Sequence, residues 1–289
     1  MKSTINNFFM YSIIKGGNSM KKKEVIFTII ISILYFIFIL NREGEQPIIN
    51  YLGHIIYIWI DIILISLIRN DTEKYDEDFI YSNKKAIIAF AILYIYLILT
   101  NILSNNKSQV NNISLYETKI SYIIYPIIMI GVVYGILLIS MKMLKIDIKN
   151  FKFKIGIKEL LLVILLIAIK KVIECSFLGI DMLTNGREVF YIFINFVINL
   201  ISPAFIEEMI FRGLLMSGLK GFNFKIENAN IIQAVLFGSI HYFYYTQYGI
   251  IGILGISFQA IVGYMLGKLY IKTKSLTPCI VLHALINTI

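Results

Sequence analysis

Three short stretches of this chain carry residue types that can do chemistry. The first is Phe205-Ile206-Glu207-Glu208-Met209-Ile210-Phe211-Arg212, set between the apolar runs Val189–Leu200 and Gly213–Leu219. Ionisable groups in hydrocarbon are costly, so they usually face a protein interior and mark function. On a helix, Glu208 and Arg212 are i,i+4 neighbours and can pair. Glu207 points about 100° away, given ~3.6 residues per turn. One acid can thus be held by Arg212 while the other faces a cavity. The competing reading is a helix end whose charges snorkel to the surface. The second and third stretches hold two of the three histidines: His241, one helical turn after Phe237, and His283, one turn before Asn287. A lone histidine in an apolar span is more often a hydrogen-bonded packing residue. Two of them beside Glu207, Glu208, Arg212 and Asn287 predict a shared site.

That set allows two chemistries. A carboxylate and an imidazole flanking a water act as a general base for hydrolysis. A second histidine with Asn287 can donate hydrogen bonds to a developing oxyanion. Together these suffice for cleavage of a peptide bond. Alternatively, Glu208, His241 and His283 make a ligand set that zinc accepts, with an open position for water. No His-Glu-x-x-His motif supports that choice.

The elements that must position these residues are membrane helices. The chain has 289 residues, of which 58% are hydrophobic and 16% charged, and its mean hydropathy is +0.76. Apolar runs of membrane-spanning length recur along it, without the alternation of a β-barrel. The expected fold is an all-α polytopic transmembrane bundle with spans at 25–40, 50–68, 86–104, 120–141, 157–177, 189–216, 231–246, 249–270 and 275–289. The short first, seventh and last runs leave eight or nine spans. Residues 1–24 read as a basic cytosolic N-terminus, with Met20 as an alternative start. Residues 25–150 read as N-terminal membrane helices with cytosolic loops, and residues 151–289 as a catalytic-type membrane domain.

Loop charge sets the orientation. With the N-terminus in the cytosol, most of the 27 Lys and Arg fall in cytosolic segments. Only Arg42, Lys107, Lys119 and Arg187 fall outside, and Lys170 and Lys171 lie within a span. This alternation follows the positive-inside rule, so the net charge of +9 needs no nucleic-acid partner. The orientation also supplies a depth check, since a helix rises ~1.5 Å per residue. Glu207, Glu208 and His283 then lie ~12 Å from the cytosolic ends of their spans and His241 ~15 Å, near one level.

Other polar residues in the spans read as structural. His54 and Trp59 suit the interface, and Asp61 calls for a basic partner on another helix. Lys170, Lys171 and Glu174 read as a solvated helix end paired along the helix. Asn195 and Asn199 can hydrogen-bond neighbouring helices. Pro203 removes a donor four residues before Glu207 and predicts a kink. Cys175 and Cys279 match no metal or disulfide spacing and read as packing residues.

Glu-Glu-x-x-x-Arg, then Phe-x-x-x-His, then His-x-x-x-Asn, in this order on late membrane helices, resembles the CPBP family. That family comprises the CAAX prenyl endopeptidases and bacterial Abi-type, bacteriocin-processing and bacteriocin-immunity proteins. The resemblance covers residues 190–289 and none of 1–150. It implies that Glu207 and His241 activate the attacking water, that Glu208 and Arg212 orient the site, and that His283 and Asn287 form the oxyanion hole. A glutamate-type, metal-free mechanism is the preferred expectation, with a zinc metalloprotease as the alternative.

The expected function is an intramembrane endopeptidase that cleaves a membrane-associated peptide or lipid-anchored protein near the cytosolic face. The competing classes are a non-enzymatic bacteriocin self-immunity or scaffold protein on the same fold, and a transporter using Glu207, His241 and His283 as a proton relay. No repeated halves with Gly/Pro-interrupted segments support the transporter. Ile-, Asn- and Lys-rich usage points to an AT-rich bacterial genome, hence to a bacterial cell membrane and a leader-bearing peptide as partner.

Overall fold

The computed structural model describes residues 20–41, 47–68, 80–109, 119–178 and 189–289. The alternative start at Met20 and most of the basic N-terminus lie outside or at the edge of that range. The described residues form helices and no strand. These are α1 (Lys22–Leu40), α2 (Pro47–Leu67), α3 (Ala86–Gln109), α4 (Lys119–Met143), α5 (Ile157–Leu178), α6 (Val189–Gly221), α7 (Ile226–Ile240), α8 (Gly252–Thr273) and α9 (Leu276–Thr288). The chain is a helical membrane protein. Among the described residues α1, α6 and the stretch Tyr242–Thr273 are long and apolar enough to cross a bilayer. Shorter apolar stretches occupy Tyr51–Leu67, Ala86–Ile102, Ile127–Met143 and α9.

Eight of the nine expected spans coincide with a helix to within a few residues. The exception is 231–246. Here α7 starts at Ile226 and stops at Ile240, and Tyr242–Ile251 forms a 3-10 stretch bent at Gly249, whose φ is +59°. The aromatic run after His241 carries hydropathy without helical periodicity, so composition alone extends the span too far. With α6 running to Gly221, α7 starting at Ile226 and α9 at Leu276, Glu207 and His241 lie ~21–22 Å and His283 ~10 Å from those helix ends, against the ~12–15 Å expected, so the helix ends do not mark one common plane.

Buried α8 is the hub, packing on α7, α1, α2 and α9. Close approach is possible because small residues line the contact. A Cβ on Gly238 would stand 2.7 Å from the Ile256 carbonyl oxygen, so glycine there lets the backbones of α7 and α8 approach. On the other side, α6 packs its second half on α3 and its first half on α9.

α6 is kinked next to Pro203, as the proline predicts, and its helical geometry is interrupted there. Residues Leu200–Ala204 and Met209–Leu215 are π-helical, and Ser202 is extended (φ −156°, ψ 128°) before a cis bond to Pro203. Proline has no N–H to return to the preceding turn and disfavours helical geometry in the residue before it. A carbonyl at the break, that of Ile201, instead accepts a 2.8 Å hydrogen bond from the Tyr134 hydroxyl.

α1 is tied to the hub by charge. Glu24, 1% exposed, accepts from Lys268 Nζ at 2.8 and 3.0 Å and from the Tyr264 hydroxyl at 2.9 Å. His54 and Trp59, expected at the interface, bond instead to Tyr35 and Ser32 and join α2 to α1. Asp61 is buried, and the expected basic partner is absent among the described residues: its Oδ1 has no hydrogen bond there. Replacing Lys268 with Met leaves Glu24 buried without its cation. That variant should lose about 3–5 kcal/mol, and Glu24→Gln/Lys268→Met should recover stability, as read from thermal unfolding in detergent micelles.

Candidate active site

Glu207 and Glu208 sit just beyond the break in α6, and their helical offset sends them to different surroundings. Glu208 is fully buried and Glu207 borders a cavity. Glu208 Oε1 accepts from Arg212 Nη1 at 3.0 Å, the i,i+4 pair expected from the sequence. Arg212, also fully buried, donates through Nη2 to the Gly263 carbonyl at 2.7 Å and lies over the Phe237 ring at 4.7 Å. Gln233 donates to the same carbonyl and to Asn230. The guanidinium is thereby fixed by α6, α7 and α8 together. A buried charge is tolerated only when paired and hydrogen-bonded in this way.

The same Glu208 oxygen lies 2.9 Å from His283 Nδ1. A carboxylate paired with Arg212 can only accept, so His283 Nδ1 carries the hydrogen and Nε2 faces the other way. There it meets Glu207 Oε2, 3.8 Å away. His241 repeats the arrangement. Its Nδ1 bonds the Phe237 carbonyl at 2.8 Å, and its Nε2 lies 4.0 Å from the same Glu207 oxygen. Phe237 separates the two imidazoles, with ring centroids 4.8 Å from His241 and 5.7 Å from His283. Glu207 Oε2 has no hydrogen-bond partner among the described residues. This buried carboxylate oxygen lies near both imidazole nitrogens and too far from either for a direct bond.

These groups open on a cavity of about 610 Å³. Asn287 lines it one turn beyond His283, and Asn199, bonded to Thr288, lines it from the α6 break. All six residues singled out in the sequence are therefore brought together: Glu207, His241, His283 and Asn287 on the cavity, Glu208 and Arg212 behind it. Glu207 and Pro203 also border a smaller cleft of about 160 Å³ between α3 and α4.

The far wall corrects the reading of Lys170, Lys171 and Glu174 as a solvated helix end. All three are buried, and Lys170 and Glu174 line the cavity with His54 and Tyr57. Lys170 Nζ bonds Glu174 at 2.8 Å and the Ile289 carbonyl at 2.9 Å. Packing of α5 on α2 and α9 covers this helix face, which no single-helix periodicity reveals. Tyr244 and Gln259 were also missed. They come from separate helices, and nothing in their spacing signals a shared wall.

The zinc set Glu208, His241 and His283 does not converge. Glu208 lies on the Nδ1 side of His283, opposite Nε2. Glu207 faces both Nε2 atoms, at separations wider than the ~3.4 Å between ligands of a tetrahedral zinc shell. Among the described residues no three His, Cys, Asp or Glu are arranged to hold a metal ion.

Thermal unfolding should separate the two acids. Arg212→Met strands the buried Glu208 charge and should lose about 3–5 kcal/mol. Glu207→Gln removes no hydrogen bond and should stay within about 0.5 kcal/mol. Equal losses would contradict the division of roles.

Residues 189–289 match the family described as type II CAAX prenyl endopeptidase Rce1-like. The match spans α6 to α9, the helices that carry every residue of the Glu/Arg/His/Asn cluster. No curated protein matches the chain, and no solved structure matches it.

Proposed function

We propose that this protein is an intramembrane endopeptidase, because residues 189–289 match the CAAX-type membrane protease family. In this reading it cleaves a membrane-associated peptide or lipid-anchored protein near the cytosolic face, and spans the bilayer eight or nine times with its N-terminus in the cytosol. The observation that carries it is the unpartnered Glu207 Oε2 held between His241 Nε2 and His283 Nε2 at 4.0 and 3.8 Å.

Glu207 and His241 activate a water for attack on the scissile carbonyl. The water gives its proton to the Glu207 carboxylate as its oxygen bonds to carbon. The carbonyl oxygen gains negative charge and is met by His283 Nε2, when that imidazole carries its second proton, and by the Asn287 amide. Glu208 faces His283 from behind and fixes the orientation of its ring. Collapse of the tetrahedral intermediate expels the amine, which takes the proton from Glu207. Arg212 holds Glu208 in place and touches no reacting atom. The reaction needs no metal in this scheme.

The bacteriocin-immunity alternative keeps this fold without hydrolysis. A buried, three-helix support for one imidazole favours catalysis, because a scaffold does not need that precision. A leader-bearing peptide in a bacterial cell membrane fits the residue usage of the chain.

The test is cleavage of a membrane-associated peptide library by the full-length protein in proteoliposomes. Glu207→Gln should lower kcat/KM at least 10²-fold, and Asn287→Ala by about 10²–10³-fold with KM little changed. Incubation with 1,10-phenanthroline should leave the rate unchanged. Full activity of Glu207→Gln would sink the assignment, and inhibition reversed by added zinc would sink the metal-free scheme.

A further inference from the structure

The connector between α4 and α5, residues 144–156, is attached to both catalytic helices. Its backbone runs against the start of α9: Leu276 N–H donates to the Lys152 carbonyl at 2.9 Å, and Lys154 N–H donates to Ser275 Oγ at 2.8 Å. Ser275 is the N-cap of the helix that carries His283. Its side chains reach α6. Phe151 packs beside Gly213, and Phe153 stacks on Phe205 with centroids 5.9 Å apart and planes at 13°. Phe205 stacks in turn on Tyr134 at 5.8 Å, two residues before Glu207.

The outer side of this strap is basic. Lys142, Lys145, Lys149, Lys152, Lys154 and Lys158 are all exposed, and none has an ion-pair partner among the described residues. The two nearby acids are engaged locally: Asp147 accepts from Lys149 N–H and Glu159 from Gly156 N–H, each at 2.9 Å. Between the lysines stand exposed apolar side chains, from Phe153 at 38% to Met143 at 77%. The positive-inside rule accounts for lysines here, but not for apolar groups interleaved with them. Lysines alternating with apolar side chains at the ends of two membrane helices suit the headgroup boundary of an anionic leaflet. A soluble acidic partner would leave the apolar groups in water.

We propose that this strap is a docking surface for anionic phospholipid headgroups, and that lipid bound there steadies the positions of Glu207 and His283 through Phe153 and Ser275. The lipid-binding part stands on the exposed lysines and the apolar side chains between them. The effect on catalysis rests on the protease reading.

The experiment places the full-length protein in nanodiscs of phosphatidylcholine alone or with 30% phosphatidylglycerol. It compares wild type, Lys149→Gln/Lys152→Gln/Lys154→Gln, and Phe153→Ala. The first readout is lipid retained after extraction into neutral detergent, by native mass spectrometry. Wild type and Phe153→Ala should retain phosphatidylglycerol at least fivefold over phosphatidylcholine, and the triple variant should show no preference. The second readout is kcat/KM, which should rise at least threefold with phosphatidylglycerol in wild type and in neither variant. Equal retention of both lipids by wild type would overturn the docking surface, as would wild-type preference in the triple variant. So would a poly-glutamate peptide that displaces the retained phosphatidylglycerol at equimolar concentration. Lipid preference with a flat kcat/KM in wild type would overturn the coupling alone. Absence of cleavage in every nanodisc would instead sink the protease reading and leave the retention result standing.

Discussion

Glu208 and Arg212 form an ion pair with no access to water, and the candidate site is arranged around it. Removing two charges from solvent is costly unless the remaining bonds are made, and two atoms, Glu208 Oε2 and Arg212 Nε, have no partner among the described residues. Here the second nitrogen of the guanidinium finds the Gly263 carbonyl, its face meets Phe237, and the carboxylate finds His283. The pair therefore fixes three things together: the register of α6 against α8, the ring that separates the two imidazoles, and the tautomer of His283. A pair of this kind does not add stability reliably. Its effect is geometric, because a carboxylate behind an imidazole decides which nitrogen faces the reacting centre.

The surrounding fold makes that pair possible. Glycine at 267 leaves room for the Asn230 and Gln233 side chains, and Gln233 reaches the same carbonyl as Arg212. The break at Ser202-Pro203 lets α6 change direction just before the two acids, and Tyr134 and Phe205 hold the broken turn. Glu207 is then free to face the cavity while its neighbour stays buried. Helices α2 and α5, outside the family match, close the far wall with His54, Tyr57, Lys170 and Glu174. The part of the chain that matches the family thus carries the Glu/Arg/His/Asn cluster, and the remainder shapes the space in front of it.

Much of this could be read from the residues. The i,i+4 spacing of Glu208 and Arg212 forecast the ion pair, and the order of the motifs forecast the cluster, because local helical geometry is enough for both. Hydropathy located the helices, since a span must be apolar over its length whatever it packs against. What could not be read depends on packing between distant elements. Nothing local tells that Lys170 and Glu174 turn inward, because their i,i+4 pairing looks the same on a solvated face. Nothing local tells which acid His283 meets through Nδ1 and which through Nε2. The aromatic run after His241 misled for a related reason: hydropathy does not distinguish a helix from an irregular segment lining a cavity mouth.

If the buried carboxylate acts through the imidazole, Glu208 and His283 must behave as one unit. The most direct measurement is a double-mutant cycle on kcat/KM with Glu208→Gln, His283→Ala and the double variant. The account predicts that the double variant is no slower than His283→Ala, with a coupling of about 1–3 kcal/mol. Losses that simply multiply would contradict it, since the two residues would then contribute independently.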